Sequence, residues 1–300
     1  MSKCLVCGYE LGEVINLGSL PNVDHFTKKI NNDRSIYFDQ SLMFCDNCRH
    51  GQLKNILNNN GNFPEKDYTF RTSESTTAVN SIDYFLNSLS KYVGTSNFKS
   101  VLDIGCNDLY LLNQISTTET IKIGIDPIWE NDFVSNNNIS VYSDKFENID
   151  LINLIDFNLD LVVCRHTLEH VDNPNLFLQK LHPLCQEDTL IVFEVPGFDT
   201  QINRNRIDQI FHDHINNFTT QSLIKLITLH GFYLYNIDYN RTHWGSMIVY
   251  FGKKKQSFSF PNEQSINSVD IIKSYKIFQS NMSNIRRQIK SINSSEKLYF

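Results

Sequence analysis

The stretch VLDIGCNDL, residues Val101–Leu109, decides the fold of this chain. Its apolar start is typical of a buried parallel strand, and Gly105 lets the backbone turn and approach a ligand closely. The pattern LYLLNQI that begins at Leu109 predicts a helix. The stretch therefore predicts a strand, a glycine turn and a helix, which is the repeating unit of α/β sheets.

The same alternation continues along the chain. Three further apolar runs have the length of strands: IKIGID (121–126), LDLVVCR (159–165) and TLIVFEVP (189–196). Asp172 is the expected N-cap of a helix between the last two. This alternation predicts a parallel sheet with helices on both faces, whose ligands bind at the carboxyl ends of the strands. The residues expected to line that crevice are Gly105, Asp126, the segment 165–170 and those after Glu194.

Three features complete the C-terminal part. A helix ends at Gly231, and FYLYNIDYN and SMIVYF then look like an antiparallel pair of strands at the edge of the sheet. Apolar residues from Ile272 to Ile292 recur at intervals of three and four, which predicts one long amphipathic helix. The final KLYF looks like the start of a strand, which suggests a shortened chain or a lost domain.

Composition and charge narrow the class of protein. A chain of 300 residues with 41% hydrophobic and 20% charged residues is expected to fold into one large or two modest globular domains. Its net charge of −6 disfavours nucleic acid as the main partner, since phosphate binding needs a basic face. Without a signal-peptide pattern or an apolar run long enough for a membrane span, we expect a cytoplasmic monomer or weak dimer with no membrane partner.

The cysteines indicate a metal site. Seven cysteines, an odd number, disfavour a disulfide framework in a chain that lacks an export signal. Two CxxC motifs can present four thiolates to one tetrahedral zinc ion, and such a closed site is structural because no position is left for water or substrate. The predicted ligands are Cys4, Cys7, Cys45 and Cys48. The alternative is two unrelated redox or buried pairs.

The glycine turn and the next strand indicate a nucleotide cofactor. A carboxylate at Asp126 can accept hydrogen bonds from both ribose hydroxyls, as in sites for NAD and for S-adenosylmethionine. Because GxGxxG is missing and Asp108 would repel a pyrophosphate, S-adenosylmethionine is favoured. The alternative is that the acids only cap strand ends. The predicted cofactor residues are Asp103, Gly105, Asn107, Asp126 and Arg165.

These pieces, in this order, resemble the zinc-containing, S-adenosylmethionine-dependent sugar C-methyltransferases. The motifs that carry the resemblance span nearly the whole chain: CLVCGYELGEVINLGSLPN, CDNCRHGQL, VLDIGCND, GIDP, LEHV, FEVP, FHDHINNF and WGSMIVYF. The resemblance implies an α/β fold with a class I, Rossmann-like methyltransferase sheet. It also implies methyl transfer to C3 of a nucleotide-linked 4-keto-6-deoxysugar. The family continues into a C-terminal Rossmann-like lobe, of which only the opening helix and strand are expected here.

Together these observations predict four segments. They are a zinc-binding domain over 1–60, a linker and helix over 61–95, a methyltransferase domain over 96–254, and a C-terminal helix over 255–300 that begins the shortened lobe.

The resemblance also implies catalytic residues. His214 matches the family's base, and Asp213 matches the acid that orients it. His170 matches a further family histidine, and Tyr68 matches a family tyrosine, although Phe70 is an alternative for that position. Asp213 is one methylene shorter than the glutamate usual in the family. Leu109 likewise stands where the family usually has a glycine.

Four residues are expected to contact the substrate: Phe211, His212, His243 and Arg206. Phe211 replaces a family tyrosine, so a phenolic hydroxyl is missing, and Arg206 with Arg204 suits a nucleotide diphosphate. The expected chemistry begins when the neutral His214 removes a proton from a carbon beside a ketone, and His170 is a candidate donor to the oxyanion.

Three alternatives stay open. The same layout suits O- or N-methylation of a sugar. His212 and His214, two residues apart, could instead form a surface pair or a metal site. The chain could also be a non-catalytic scaffold with a zinc domain and a decayed cofactor pocket, and weak S-adenosylmethionine binding despite correct folding would favour that reading.

Overall fold

The computed structural model describes residues 2–21, 37–56, 70–94, 97–115, 119–135, 137, 139–256 and 265–291. Three sequence predictions concern residues that lie wholly or partly outside these ranges. Tyr68 and the final KLYF lie outside the described residues, as does the predicted linker from residue 57 to 67.

The N-terminal segment forms a small antiparallel sheet that carries both CxxC motifs. Its strands are β1 (Gly12–Pro21), β2 (Tyr37–Phe44) and β3 (Gly51–Leu53), in that order across the sheet. The first CxxC precedes β1, and the second forms the turn between β2 and β3. In each motif the first cysteine's carbonyl accepts a hydrogen bond from a residue four positions on, Gly8 at 2.9 Å and Arg49 at 2.8 Å. These two tight turns bring the thiols to one end of the sheet.

Helix α1 (Thr76–Val93) follows and confirms the helix predicted within residues 61–95. Ser75 caps its start, because its side chain accepts a hydrogen bond from the amide of Ala78. The helix ends at Gly94, and its apolar face, with Phe85 at its centre, is buried against the large sheet. The apolar spacing of the sequence thus produced both the helix and its orientation.

In the part of the chain that the structure describes, the large sheet has eight strands. Six of its strands precede the FHDHINNF stretch: β4 (Ser100–Ile104), β5 (Ile121–Ile125), β6 (Phe133–Val134), β7 (Ile139–Tyr142), β8 (Leu161–Arg165) and β9 (Leu190–Val195). After β10 (Asn216–Asn217), which belongs to the small sheet, come β11 (Tyr233–Asn240) and β12 (Ser246–Gly252). The strand order is β11-β12-β9-β8-β4-β5-β7-β6.

The parallel core of this sheet confirms the alternation read from the sequence. Strands β7, β5, β4, β8 and β9 are parallel, and β12 and β11 add the predicted antiparallel pair at one edge. The strands β6 and β7 at the other edge were not predicted, because they have only two and four residues and give a weak sequence signal. This order matches the class I methyltransferase sheet that the resemblance implied.

The described residues form six further helices: α2 (Tyr110–Gln114), α3 (Leu151–Leu154), α4 (Pro174–Leu181), α5 (Phe198–Asn203), α6 (Thr220–Leu229) and α7 (Ser268–Ser291). The cap of α4 is Asn173, whose side chain accepts from Leu176 N at 3.1 Å; the prediction of Asp172 was wrong by one residue. Among the described residues, no helix is both long and apolar enough to cross a membrane.

The two sheets are joined near the predicted catalytic stretch. Strand β10 pairs antiparallel with β3, so a piece of the large domain completes the small sheet in the order β1-β2-β3-β10. Helix α7 closes the same side: Ile271 is buried beside α5, and Tyr275 Oη donates to Asn16 O in β1 at 3.1 Å. The zinc domain therefore packs directly on the segment that contains His214.

Candidate active site and zinc centre

The four cysteines of the CxxC motifs converge as predicted. Their sulfur atoms all lie within 4.8 Å of one another. The closest pairs join different motifs, Cys4 with Cys48 at 3.5 Å and Cys7 with Cys45 at 3.6 Å. Zinc–sulfur bonds of about 2.3 Å in a tetrahedron require sulfur separations of about 3.8 Å. These residues therefore fit one zinc ion, and the alternative of two separate pairs is disfavoured.

The zinc turn also holds the predicted catalytic stretch. His50, two residues after Cys48, is fully buried, and its Nε2 lies 3.2 Å from Asn216 Oδ1 in β10. The amide of Leu53 donates to Ile215 O at 3.0 Å. Each contact connects a residue that follows the second CxxC with a residue that follows His214. Metal binding at the cysteines is thus mechanically connected to the position of that histidine.

His212 belongs to this interface and not to the substrate crevice. It is 3% exposed, its Nδ1 lies 3.1 Å from Gln40 Nε2, and its Nε2 lies 3.2 Å from Leu20 O. The prediction that His212 contacts the substrate is therefore corrected, because both of its ring nitrogens already face partners in the zinc domain. His212 and His214 do not share a face either, because residues 211–214 form a turn and not a strand.

The cofactor turn has the predicted geometry. Gly105 has φ +82°, and a Cβ added there would lie 1.9 Å from Thr167 Oγ1. Asn107 and Leu109 also have positive φ, so Leu109 adopts the left-handed conformation that the family usually gives to a glycine. The departure at Leu109 therefore leaves the turn intact.

The two carboxylates predicted from the sequence, Asp103 and Asp126, lie in β4 and directly after β5. Asp126 follows β5 and is held there by backbone amides, Asn107 N at 2.8 Å and Ile128 N at 3.0 Å. Asp103 is buried in β4, and burial raises its pKa to about 7 against the opposing charge of Arg165. Asp126 is thus a rigid acceptor at the carboxyl edge of the sheet, as the ribose site requires.

The segment before α1 lies over this turn. Asn107 accepts a hydrogen bond from Thr72 N and donates one to Phe70 O, both at 3.1 Å. Asp108 accepts from Ser73 N at 2.8 Å. The side chain of Asn107 thus organises the polypeptide around the site, and it brings Phe70, the alternative match for the family tyrosine, to the crevice.

Arg165 lies beneath the crevice. Its Nε donates to Glu194 Oε2 at 2.7 Å and its Nη2 donates to Ser81 Oγ at 2.9 Å. The guanidinium also lies over the ring of Phe85, and the side chain is 10% exposed. The expected direct contact with the cofactor is therefore corrected to a supporting role, because these donors are directed at α1 and β9.

We expect Gly105→Ala to destabilise the protein by about 2–3 kcal/mol and to weaken S-adenosylhomocysteine binding, because the new Cβ must displace Thr167 and a positive φ is strained for alanine. Thermal unfolding and calorimetry measure the two effects. Gly94→Ala is a matched control, since Gly94 has φ +70° but no described atom within 4 Å of an added Cβ. Equal losses in the two variants would show that the close contact at Gly105 is unimportant.

The predicted catalytic histidines meet at the same edge of the sheet. His170 Nδ1 lies 2.8 Å from Asp213 O, and His214 Nδ1 lies 2.9 Å from Gln209 O. A carbonyl can only accept, so Nδ1 is the protonated nitrogen of each ring, and Nε2 carries the lone pair in the neutral form. Burial lowers the pKa of His214 to about 4. His214 is therefore a neutral ring at neutral pH with Nε2 available as a base.

The carboxylate beside these rings is Glu169, which the sequence analysis did not select. Glu169, His170 and His214 have ligand atoms within 4.8 Å of one another, and Glu169 is 1% exposed. Asp213 contributes its backbone carbonyl to His170, and Phe211 stacks on His214 with ring centroids 4.1 Å apart. The LEHV motif contained the signal, since Glu169 directly precedes His170.

A pocket adjoins this cluster. Its lining residues are His166, Pro196, Gly197, Gln201, Arg204, Arg206, Gln209, His243, Trp244 and Ser246. His243 packs against His166 with ring centroids 4.4 Å apart, and burial lowers its pKa to about 4. Arg206 pairs with Asp208 at 2.8 Å and lies over Trp244. The structure thus places two of the four predicted substrate residues, His243 and Arg206, in one pocket that carries cations and an exposed aromatic ring.

Comparisons with known proteins agree with this geometry. A family model described as "Methyltransferase domain" matches residues 80–237, and one described as "Putative zinc binding domain" matches residues 4–63. The C-methyltransferase NovU of Streptomyces niveus is 21% identical over 262 residues, which are 83% of this chain. The chain spans 60% of the length of NovU.

Solved structures are similar in fold. A chain of the Haloferax volcanii complex between the Trm112 methyltransferase activator and a methyltransferase has a TM-score of 0.50 at 10% identity, covering 63% of this chain and 96% of that one. The magnesium protoporphyrin IX methyltransferase ChlM of Synechocystis PCC 6803 with bound SAH has a TM-score of 0.44 at 13% identity, covering 59% and 85%.

The glycine turn, the carboxylate after β5 and the strand order all belong to one fold, and the first family model covers more than half of the chain. The chain therefore belongs to the methyltransferase domain family of S-adenosylmethionine-dependent enzymes, and it carries a zinc-binding domain at its N-terminal side.

Proposed function

We propose that the protein methylates a nucleotide-linked sugar at a carbon next to a ketone, by way of an enolate. The observation that carries the proposal is His214: a neutral ring, fixed through Nδ1 and stacked on Phe211, at the carboxyl edge of the sheet. Similarity to the C-methyltransferase NovU supports the same chemistry. Such a sugar would serve surface-polysaccharide or antibiotic-sugar assembly.

The residues present can perform each step. Neutral His214 accepts the proton from the sugar carbon at Nε2, because Gln209 O holds Nδ1–H. His170 is exposed and, when protonated, presents Nε2–H to the oxyanion that forms on the former ketone. S-adenosylmethionine supplies an electrophilic methyl group when it is bound. The pocket of Arg204, Arg206 and Trp244 suits the diphosphate and base of a nucleotide.

The connection between cofactor turn and base is short. Thr167 contacts Gly105, and Glu169 and His170 follow it within the same turn of chain. His214 packs on His170 with ring centroids 5.1 Å apart. A substrate that touches His214 therefore also lies close to the turn over which the cofactor is expected.

Two measurements test the reaction. The first incubates the protein with S-adenosylmethionine and a panel of nucleotide-linked ketosugars, and looks by mass spectrometry for the gain of one methylene unit. The second measures deuterium wash-in at the carbon next to the ketone without the methyl donor. We expect both signals for the same sugar.

One observation favours a second candidate, O- or N-methylation. Phe211, which stacks on His214, lacks the hydroxyl of the family tyrosine and so removes one donor to an enolate. Methylation without wash-in would establish this alternative. Failure of the folded protein to bind S-adenosylhomocysteine would instead support the scaffold hypothesis.

The cofactor site has its own test. We expect Asp126→Ala to weaken S-adenosylhomocysteine binding by about 1–3 kcal/mol, because hydrogen bonds between ribose hydroxyls and a carboxylate are lost. Isothermal calorimetry measures the change. Asp160→Ala is the matched control: Asp160 also accepts a backbone amide, Lys99 N at 2.6 Å, but it precedes β8 and so lies at the opposite edge of the sheet. Unchanged affinity for Asp126→Ala would move the cofactor elsewhere.

A further inference from the structure

We propose that Glu169, and not Asp213, is the positioning carboxylate that balances the charge of His214 when this ring holds the substrate proton. A relay of alternating charges that begins at Arg165 holds Glu169 in place for this role. The inference rests on the proposed function, in which His214 is the base. It assigns to Glu169 the part that the family resemblance implied for Asp213.

The first observation is the environment of Glu169. Its side chain is almost fully buried, and its carboxylate lies within 4.8 Å of the ring nitrogens of His170 and His214. Among the described residues, neither carboxylate oxygen has a hydrogen-bond partner. A buried acid without such partners is costly unless a nearby cation compensates it. Glu169 is therefore arranged to attract positive charge toward the histidines.

The second observation is the relay behind it. His166 lies between two buried acids, with Nδ1 3.4 Å from Glu169 Oε1 and Nε2 3.6 Å from Glu194 Oε1. Arg165 Nε binds the other oxygen of Glu194 at 2.7 Å. The charges along the relay thus alternate in sign. In order, the residues are the cation Arg165, the anion Glu194, the cation His166 and the anion Glu169, which lies beside His214. Burial opposes charge on His166, but the two neighbouring carboxylates of Glu169 and Glu194 raise its pKa to about 9.

The backbone supports this relay with a strained residue. His166 has φ +48°, which is uncommon for a residue other than glycine. The amide of His166 donates to Glu194 O at 2.8 Å, so the main chain and the side chain both bind this residue of β9. Such conformations persist where the surroundings require them, and they concentrate at functional sites. Here the strain points the imidazole between the two acids.

The third observation concerns Asp213. Its backbone carbonyl binds His170 Nδ1, and the tautomer of His214 is set by Gln209 O. The orientation of His214 therefore has a source other than the Asp213 carboxylate. Since Glu169 is buried and Asp213 is half-exposed, the same charge interacts more strongly from the position of Glu169.

The charges that face His214 act in opposite directions. His170 and His166 disfavour a second positive charge nearby, and Glu169 favours it. Replacing Glu169 by glutamine leaves the two opposing histidines in place and removes the anion. We therefore expect Glu169→Gln to make His214 a weaker base, with a lower pKa than in the unchanged protein.

The test compares Glu169→Gln with Asp213→Asn, which removes the same charge from the neighbouring candidate. We expect Glu169→Gln to lower kcat by about 10- to 100-fold, less than removal of the general base itself, and to move the acid limb of the kcat/KM profile to lower pH. The KM for the sugar should change little. Asp213→Asn should alter kcat by less than about 3-fold, as for a partly solvated charge.

A readout independent of turnover separates this inference from the proposed function. Nuclear magnetic resonance of histidine-labelled protein follows the titration of His214, assigned with His214→Asn. An unchanged titration in Glu169→Gln, or a larger effect of Asp213→Asn, would overturn the inference even if the protein methylates sugars. Conversely, a shifted titration with no sugar methylation would leave the Glu169–His214 pair standing and reject the proposed function.

Two further controls address folding and metal. If Glu169→Gln fails to fold, Glu169→Asp keeps the charge at a longer distance, and we expect a smaller loss of kcat with the same direction of pH shift; a wild-type profile would contradict the inference. Metal analysis of the protein tests whether Glu169, His170 and His214 together hold a metal ion instead. A second bound metal that Glu169→Gln removes together with activity would overturn the inference.

Discussion

His214→Asn is expected to abolish methyl transfer, with a loss of about 100- to 10,000-fold in kcat, the range attributed to general base catalysis. Asparagine has no nitrogen lone pair that can accept the proton, although its amide can still donate to Gln209 O. S-adenosylhomocysteine affinity and thermal stability should change little. Single-turnover methylation and deuterium wash-in with one confirmed sugar measure the loss.

The matched control is His212→Asn, in the same loop. His212 binds Gln40 and Leu20 in the zinc domain, so this variant should lose stability, by about 1–3 kcal/mol, while folded protein keeps most of its kcat. Wild-type activity in His214→Asn on a confirmed substrate would refute the mechanism. Loss of turnover in both variants with equal loss of stability would show that the loop has only a structural role.

The pH dependence follows from the burial of His214. Burial lowers its pKa from 6.5 to about 4, so kcat/KM should stay constant on the neutral side and fall as the pH drops through that value. The unfolded chain binds a proton on this histidine before the folded chain does, and stability contributed by the neutral ring is therefore lost as the pH falls from 6.5 toward 4. His214→Asn should flatten this part of the stability profile, which unfolding in denaturant at several pH values measures.

Cys45→Ser is expected to release the zinc ion and to lower stability by about 4 kcal/mol or more, since the binding free energy of a structural metal is part of the folding free energy. Serine is a poor zinc ligand, and three remaining sulfurs leave the site open. Metal content by atomic emission and the melting temperature measure the two effects. Activity should fall with the metal, because β3, which follows the second CxxC, pairs with β10 next to His214.

Cys185→Ser provides the control for this substitution. Cys185 is buried and its thiol donates to Leu181 O, but it is not one of the four cysteines whose sulfur atoms converge. We expect it to keep its zinc and to lose less stability than Cys45→Ser. A wild-type protein that contains no metal at full stability would contradict the structural role of the cluster.

The elements of the fold could be read from the sequence because their signals are local. The run from Val101 to Leu109 contains a strand, a glycine turn and a helix start in consecutive residues, and the structure has each of them. Two CxxC motifs predicted one metal cluster, because each motif by itself forms the tight turn that aims two sulfurs at a common point.

The chemistry of the site could be read only in part. The His170 and His214 pair was expected at one crevice, because the carboxyl ends of parallel strands meet there. The family resemblance assigned the acid beside these histidines to Asp213, which directly precedes His214 in the sequence. Glu169 lies 45 positions before His214 and reaches it only through the packing of two loops. Arg165 was likewise expected to contact the cofactor, and its direction depends on Glu194 and Ser81.

The sequence by itself determined the parallel strands β4, β5, β8 and β9, the antiparallel pair β11 and β12, the zinc ligands and the crevice at which the histidines collect. Only the tertiary structure decided that His212 faces the zinc domain while His214 faces His170. Hydrophobic periodicity reports which side of its own element a residue occupies, but residues 211–214 are a turn and have no such period. The direction of His212 is set by Gln40 and Leu20, which come from distant segments and meet it only after the two sheets have packed. The direction of His214 is set by Gln209 O, five residues before it, and by the packing of its ring on His170.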